Sequence, residues 1–299
     1  MRTALQKKRN GCKELSYRQG FSLVELLVAM AITAVVMTAV FKMYTTQQDS
    51  YVLQEQVAEM QQNGRTARYV ITREIRMAGY NPTRKLNVGN FVTSFVVKLP
   101  GDGLGDGDPN KTSTGFDIIA FTLDYNGDGF LDASFDEQIA YRVAGENLQR
   151  FDVGNDAWLT VVENIEALGF AYAFDDDNDG NIDTSATGKI IWAIDDDDLD
   201  TDERLNVNLD GNDSGDIDAD DNTNGDDEIN RDDAGTPIPP VDLDKIVAVK
   251  IWLLAKTGHT DRKYTGSETY VVGNRIMTKN DQNRRQLLTT MVKCRNMAL

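Results

Sequence analysis

Gly20-Phe21-Ser22-Leu23-Val24-Glu25-Leu26-Leu27-Val28 opens an apolar run that continues to Phe41 and is interrupted by one carboxylate, Glu25. The run is long enough to cross a bilayer. A charge in hydrocarbon costs about 2.5 kcal/mol or more, so an acid retained there marks a functional position. Residues 1–20 carry Arg2, Lys7, Lys8, Arg9, Lys13 and Arg18 against Glu14, a net of +5. The positive-inside rule keeps such a leader in the cytoplasm and lets the chain cross once. A secretory signal places its cleavage site after the apolar segment, whereas the cleavage-like residue here, Gly20, precedes it. The apolar helix therefore survives processing.

These residues resemble the type III signal of the prepilins, the subunits of type IV pili and type II secretion pseudopili. The resemblance implies that Gly20 ends the leader, that Phe21 is the methylated first mature residue, and that Glu25 is retained in the helix for assembly. It also implies a prepilin peptidase, an inner-membrane assembly platform and other major and minor pilins as partners. The chemistry agrees with this. Cleavage after Gly20 frees an α-amine on Phe21, and Glu25 lies one turn deeper on the same helix face. Glu25 of an incoming subunit can then pair with the Phe21 amine of a neighbour, which relieves two desolvated charges and sets register.

Helical character extends past the membrane. From Phe21 to Ala78 there is no proline and one glycine, Gly64, and Val52, Val57, Met60, Ala67, Val70, Ile71, Ile75 and Ala78 recur at near-helical spacing. Gly79 and Asn81-Pro82 supply the stop. Such a helix is about 87 Å long at 1.5 Å per residue, apolar all round in its first half and amphipathic in its second. Beyond Asn81 the pattern turns strand-like. Phe91–Lys98, Phe116–Leu123, Gln138–Val143, Ile165–Phe174, Ile190–Ile194, Lys245–Leu254, Glu268–Val272 and Leu287–Arg295 are rich in β-branched and aromatic residues and bounded by Gly, Asp and Asn. The predicted fold is α+β, a long N-terminal helix on a mainly antiparallel β-sheet head. Its parts are a leader (1–20), a transmembrane half-helix (21–44), an amphipathic half-helix (45–80) and a head (81–299) with an acidic, loop-rich insertion (175–240).

Two further segments extend the resemblance. Arg73-Glu74-Ile75-Arg76-Met77-Ala78-Gly79-Tyr80 is similar to the helix end of the PilW-like minor pilins. The stretch from Arg285 through Thr289-Thr290 to Arg295-Asn296 is similar to their C-terminal strand. That class is related in turn to the J-type pseudopilins, and the acidic insertion departs from both patterns.

The insertion is read from its own chemistry. Residues 174–235 hold 23 acids against Lys189, Arg204 and Arg231, a net of −20, in a chain whose total is −17. Asp175-x-Asp177-x-Asp179-Gly180-x-Ile182-Asp183 sets oxygen ligands at positions 1, 3, 5 and 9 of a tight loop with glycine at 6, a spacing that suits calcium. Asp124-x-Asn126-x-Asp128-Gly129-x-Leu131-Asp132 repeats it. Weaker copies begin at Asp210, with Asn212, Ser214, Gly215 and Asp218, and at Asp220, with Asn222, Asn224 and Gly225. Position 12 of the first two loops is Phe135 and Ala186 where a calcium hand has glutamate, so the ninth-position acid or a more distant carboxylate must complete the coordination, a place that Asp136 or Glu137 can fill in the first loop. Asp195-Asp196-Asp197-Asp198, Asp200 and Asp202 fit no loop template. Bound calcium cancels charge and closes each loop, so metal is expected to order the insertion.

Other classes are disfavoured. So acidic a surface repels phosphate backbones, which argues against direct nucleic-acid binding. The single histidine, His259, has no serine nucleophile motif beside it, and no Gly-rich phosphate loop follows a strand. Cys12 falls in the leader, leaving Cys294 alone and fit for a small core residue. The sequence therefore reads as a non-enzymatic minor pilin, anchored in the inner membrane with its head outside the cytoplasm before entering an extracellular pilus. A type II secretion pseudopilin and a pilin-anchored, calcium-dependent adhesin are its alternatives.

Overall fold

The computed structural model describes residues 20–82, 118–129, 137–152, 154–155, 157–194, 204–230, 233 and 238–296. The predicted strand Phe91–Lys98 and the run 195–200 lie outside them. The chain divides into two compact units, Met1–Val52 and Leu53–Leu299.

A single helix, α1 (Leu23–Ile75), runs through the boundary. Ser22 and Glu25 close a capping box at its start: the Ser22 amide donates to Glu25 Oε2 at 2.9 Å, and the Glu25 amide donates to Ser22 Oγ at 3.2 Å. The apolar window of α1 is long and hydrophobic enough to span a membrane, and none of it is buried within the protein. Its hydroxyls are satisfied locally, Thr33 and Thr38 returning to the carbonyls of Ala29 and Ala34 at 2.7 and 2.8 Å. That is how a hydroxyl is tolerated where water is absent.

In the second unit, Met60, Gly64, Ala67, Ile71 and Ile75 form the buried stripe of α1. Gly64, the glycine in the helical run, lets the helix close on the sheet: a Cβ there would sit 2.6 Å from Leu288 Cδ1. The strands are β1 (Ile118–Thr122), β2 (Gln138–Ala144), β3 (Asn147–Asp152), β4 (Ala157–Glu163), β5 (Ile165–Phe174), β6 (Ala193–Ile194), β7 (Arg204–Leu205), β8 (Val207–Asn208), β9 (Val241–Asp242), β10 (Ile246–Lys256), β11 (Gly266–Val272), β12 (Arg275–Asp281) and β13 (Arg285–Lys293). They form a four-stranded meander β1-β2-β3-β4, a central sheet ordered β13-β10-β5-β6-β8, and the pairs β11-β12 and β7-β9. Every strand pairing among the described residues is antiparallel.

The central strands are buried on both faces. Leu168, Phe170 and Tyr172 of β5 and Val249, Ile251 and Leu253 of β10 pack with the helix stripe and the meander. The alternate residues Ala167, Ala171, Ala173, Ala248, Trp252 and Leu254 pack instead with Trp192, Ile194, Val207, Leu209, Ile217 and Ile229 of the acidic insertion. The insertion is thus a lobe with its own apolar floor, seated on the sheet face opposite α1. Small residues on that side of β5 make room for it. Ile190–Ile194 shortens to Ala193–Ile194, because Ile190 bridges back to Thr184 and closes the loop before the chain can join the sheet.

Two polar anchors fix the frame. Glu74 at the end of α1 accepts from Tyr141 Oη at 2.5 Å and Arg150 Nε at 3.1 Å, tying the helix to β2 and β3. Arg285, with a side chain 4% exposed, donates to both carboxylate oxygens of Asp281 at 2.7 and 2.6 Å and to Glu166 at 2.5 Å. Lys279 joins Glu166 at 2.9 Å. The Arg285 hydrogen bonds hold the Asp281 carboxyl well below the usual range. At Glu166 burial opposes ionisation, yet hydrogen bonds from Arg285 and Lys279 outweigh it and lower that carboxyl too. Both folded values are depressed, so this stabilisation is complete above about pH 4, where unfolded carboxyls ionise, and is lost as pH falls further. Arg285→Met leaves Glu166 and Asp281 under-compensated and is expected to cost about 3 kcal/mol or more. A melting-temperature fall of roughly 6–12 °C checks it.

Candidate functional site

Two sets of residues carry chemistry: the start of α1 and four acidic loops. At the helix start, Gly20, Phe21 and Glu25 are all exposed, Phe21 by 88%. The Glu25 carboxylate turns back to cap its own helix through Ser22, a role the S-x-x-E spacing signals.

Loop A begins where β1 ends. Asp124 is fully buried and accepts the amides of Gly127 at 2.6 Å and Gly129 at 3.0 Å, while Asn126 Oδ1 accepts that of Asp128 at 2.8 Å. Glu137, also fully buried, accepts the Asn126 amide at 3.2 Å and so returns to the loop. Asp132 lies outside the described residues. The main chain joins this loop to the helix end, since the Asp124 amide donates to the Tyr80 carbonyl and that of Gly79 to the Thr122 carbonyl.

Loop B follows β5. Asp175 accepts the amides of Asp179 at 3.1 Å and Gly180 at 2.9 Å, Asp177 accepts that of Asp179 at 3.0 Å, and Asp179 turns to Asn181. Asp183 returns to accept the Asp176 amide at 3.0 Å. Carboxylate oxygens of Asp175, Asp177 and Asp183 lie within 4.8 Å of one another. Burial and then the charges of Asp177, Asp175 and Asp176 push the Asp183 carboxyl above its ordinary value. Convergent hard oxygens repelling one another are the donor set that calcium or magnesium takes, so these residues fit such an ion.

Loop C repeats the geometry. Asp210 accepts the amides of Ser214 and Gly215 at 2.9 and 2.7 Å, and Asn212 Oδ1 also accepts from Ser214. Asp221, position 12, is buried and accepts from Asn212 at 3.3 Å and Asp218 at 3.0 Å. Burial, then Asp210 and Asp218, raise its pKa. The Asp218 side chain itself caps the short helix Ala219–Asp221. Lys250 of β10, half-buried between Trp192 and Trp252, lies near Asp216 and Asp210; burial drives its pKa down and the two acids oppose the shift.

Loop D differs from the register expected from Asp220. Its hydrogen bonds start at Asn222, which accepts the Gly225 amide at 2.6 Å, followed by Asn224 accepting from Asp226 and Asp226 accepting from Glu228. Asp233 then falls at position 12 and accepts from Thr223, Asn224 and Asn230 at 2.7, 2.9 and 3.1 Å. Burial resists ionisation there, but these amides outweigh it and lower the Asp233 carboxyl. Position 4 is left-handed in all four loops, at Gly127, Asn178, Asp213 and Gly225, which confirms the shift by two. Position 6 is left-handed glycine in loops A to C and Asp227 in D. The position-8 residues Ile182, Ile217 and Ile229 all pack in the apolar floor of the lobe.

Sequence reasoning missed Asp221 and Asp233. Counting twelve residues from Asp210 and Asn222, with isoleucine at the eighth, would have found both. Cys294 is buried and its thiol is pushed up to about 12 by desolvation, as suits a core residue. His259 is exposed.

Comparison with known proteins places these features. Residues 15–41 match the prokaryotic N-terminal methylation motif. Residues 211–296, from loop C to the end of the last strand, match Type IV Pilus-assembly protein W. Pilin-like protein PilA3 of Thermus thermophilus is 30% identical over 139 residues, 46% of this chain and 54% of that protein. The chain thus spans about half the length of the curated relative it matches. A solved Type IV-like pilin from Thermus thermophilus aligns over 83% of this chain and 98% of its own at 14% identity, with a TM-score of 0.35.

Proposed function

We propose, from the premise that this is a type IV pilin-like chain with a prepilin methylation motif and a PilW segment, that it is a minor pilin. The observation that carries the reading is the joining of two matched segments on one chain. A methylation motif opens an apolar helix none of whose span is buried in the protein, and a PilW-matched region holds the C-terminal part of the loop lobe and the last strands of the head. In this reading a prepilin peptidase cuts after Gly20 and Phe21 is methylated. Residues 21–44 then hold the chain in the inner membrane, with the head on the outer side, until an assembly platform draws it into a filament beside other pilins. The parts are the leader 1–20, the half-helices 21–44 and 45–80, and the head 81–299.

The loops give that head its calcium sites, loop A beside the helix end and the others in the lobe. Asp124, Asn126, Asp128, Asp132 and Glu137 would hold the ion of loop A, and Asp175, Asp177, Asp179 and Asp183 that of loop B. Asp210, Asn212, Asp218 and Asp221 would hold that of loop C. Weak sites with Kd of about 0.1–1 mM are filled outside the cytoplasm, where calcium is plentiful. The role is structural, and no reaction is assigned to the chain.

Deleting the chain is expected to abolish surface fibres, and the intact protein should be recovered in sheared filaments. A deletion strain with normal fibres, and protein found only in membranes, would instead indicate an anchored binding module.

A further inference from the structure

The outward face of the second half of α1 has a composition unlike the rest of the molecule. Between Met60 and Pro82 the sole acid is Glu74, and it is turned inward to Tyr141 and Arg150. Arg65, Arg68, Arg73 and Arg76 are exposed, as is Tyr69 at 64%. At 3.6 residues per turn these five side chains fall within an arc of about 140°. That arc starts about 20° from the edge of the buried stripe, at Arg68, and turns away from the stripe around the helix. Among the described residues none of the four arginines has an ion-pair partner. Four guanidiniums around an exposed tyrosine, without an acid paired to them among the described residues, are more than solubility requires in a chain of net −17.

The opposite charge sits across the head. The acidic lobe covers the face of the central sheet away from α1. Asp176, Asp216, Asp220 and Asp227 are exposed there. None of them is a position-1, -3, -5 or -12 residue of loops A to D, so they stay available for pairing when the loops hold metal. The head therefore carries a basic face and an acidic face on opposite sides. Guanidinium forks match carboxylates in bidentate geometry. Two different complementary patches on one molecule make a heterologous contact, in which the back of one copy meets the front of the next.

We propose that the Arg65, Arg68, Arg73 and Arg76 stripe, centred on Tyr69, docks the acidic lobe of a second copy of this chain. The contact is made by heads and does not depend on the transmembrane half of the helix. It stands independently of the minor-pilin reading. Charge complementarity selects the occupant, because the lobe supplies exposed carboxylates to match four arginines that have no ion-pair partner among the described residues.

A photoreactive phenylalanine at position 69 tests this in the full chain in detergent, with equal amounts of nitrogen-14 and nitrogen-15 protein. Mass spectrometry is expected to show cross-links of mixed isotope composition from position 69 to residues 204–230. Their yield should drop about ten-fold in 0.5 M salt, where screening shortens to a few ångströms. A chain with all four arginines changed to glutamate should lose the product. Mixing it with a chain carrying Asp176→Lys, Asp216→Lys, Asp220→Lys and Asp227→Lys should restore it, which shows that both variants are folded. Cross-links confined to one copy, directed to another surface or only to detergent, unaffected by salt, or not restored by the charge swap would overturn the proposal.

Discussion

The Glu25→Ala chain is expected to be cut and retained in the inner membrane yet to be missing from sheared fibres. The expectation rests on where the carboxylate sits. Glu25 lies in an apolar helix with no burial inside its own protein, so in the proposed filament its surroundings would be other subunits. A neighbour's Phe21 amine is the charge that can meet it there. Losing one partner of such a desolvated pair costs about 3–5 kcal/mol, a factor of roughly 10² to 10³ or more at each subunit addition. The capping box supplies a control. Ser22→Ala removes the hydroxyl that receives the Glu25 amide, a loss of about 1 kcal/mol of helix-end stability, and leaves the carboxylate free to pair. That variant should assemble at near-normal levels. Equal loss in both variants would place the function of Glu25 in the cap and not in assembly.

Calcium removal is expected to give the second large effect. In loop B three carboxylates converge, and in loop C burial and neighbouring acids raise the pKa of Asp221, so both loops are held together against repulsion when no cation is present. A ligand near its Kd to ten times above it stabilises by about 0.4–1.4 kcal/mol per site. Three sites then supply about 1–4 kcal/mol, a melting-temperature shift of roughly 2–16 °C for a unit of this size. The detergent-solubilised chain should therefore melt that much lower in chelator than in 1 mM calcium. Amide exchange should rise in residues 175–230 and stay low in β5 and β10, whose other face is held by α1. Identical melting curves in chelator and calcium would remove the metal from the account.

The strands that were legible in the sequence are those the core defines. Ile165–Phe174 has the predicted bounds because apolar residues fill both of its faces, and β10 is fixed by a β-branched run in the same way. Strands β3 and β12 escaped notice because polar residues interrupt their apolar pattern, whereas β4, with Trp158, Leu159, Val161 and Val162, carried a strand signal that was overlooked. The turn between β2 and β3 uses Gly145 and Glu146, both at positive φ, in place of the Asn-Gly or Asp-Gly pair that announces a hairpin. The metal-type loops were visible because oxygen ligands must alternate with outward residues. Their closure was not, since Glu137 lies beyond position 12 of loop A and loop D lacks the glycine at position 6 that sets the count. Nothing in the spacing of the insertion indicated that its isoleucines form a floor against the back of the central sheet. That required knowing that Ala167, Ala171 and Ala173 leave room there.

The central claim is that this chain is cut before an intact apolar helix and used from Phe21 onward. Intact-mass and N-terminal peptide spectrometry of the protein from its native cells tests it most directly. The account predicts a chain that begins at N-methylated Phe21 and still contains the segment through Phe41. A mature protein that retains Met1, or one severed downstream of Phe41, would contradict it.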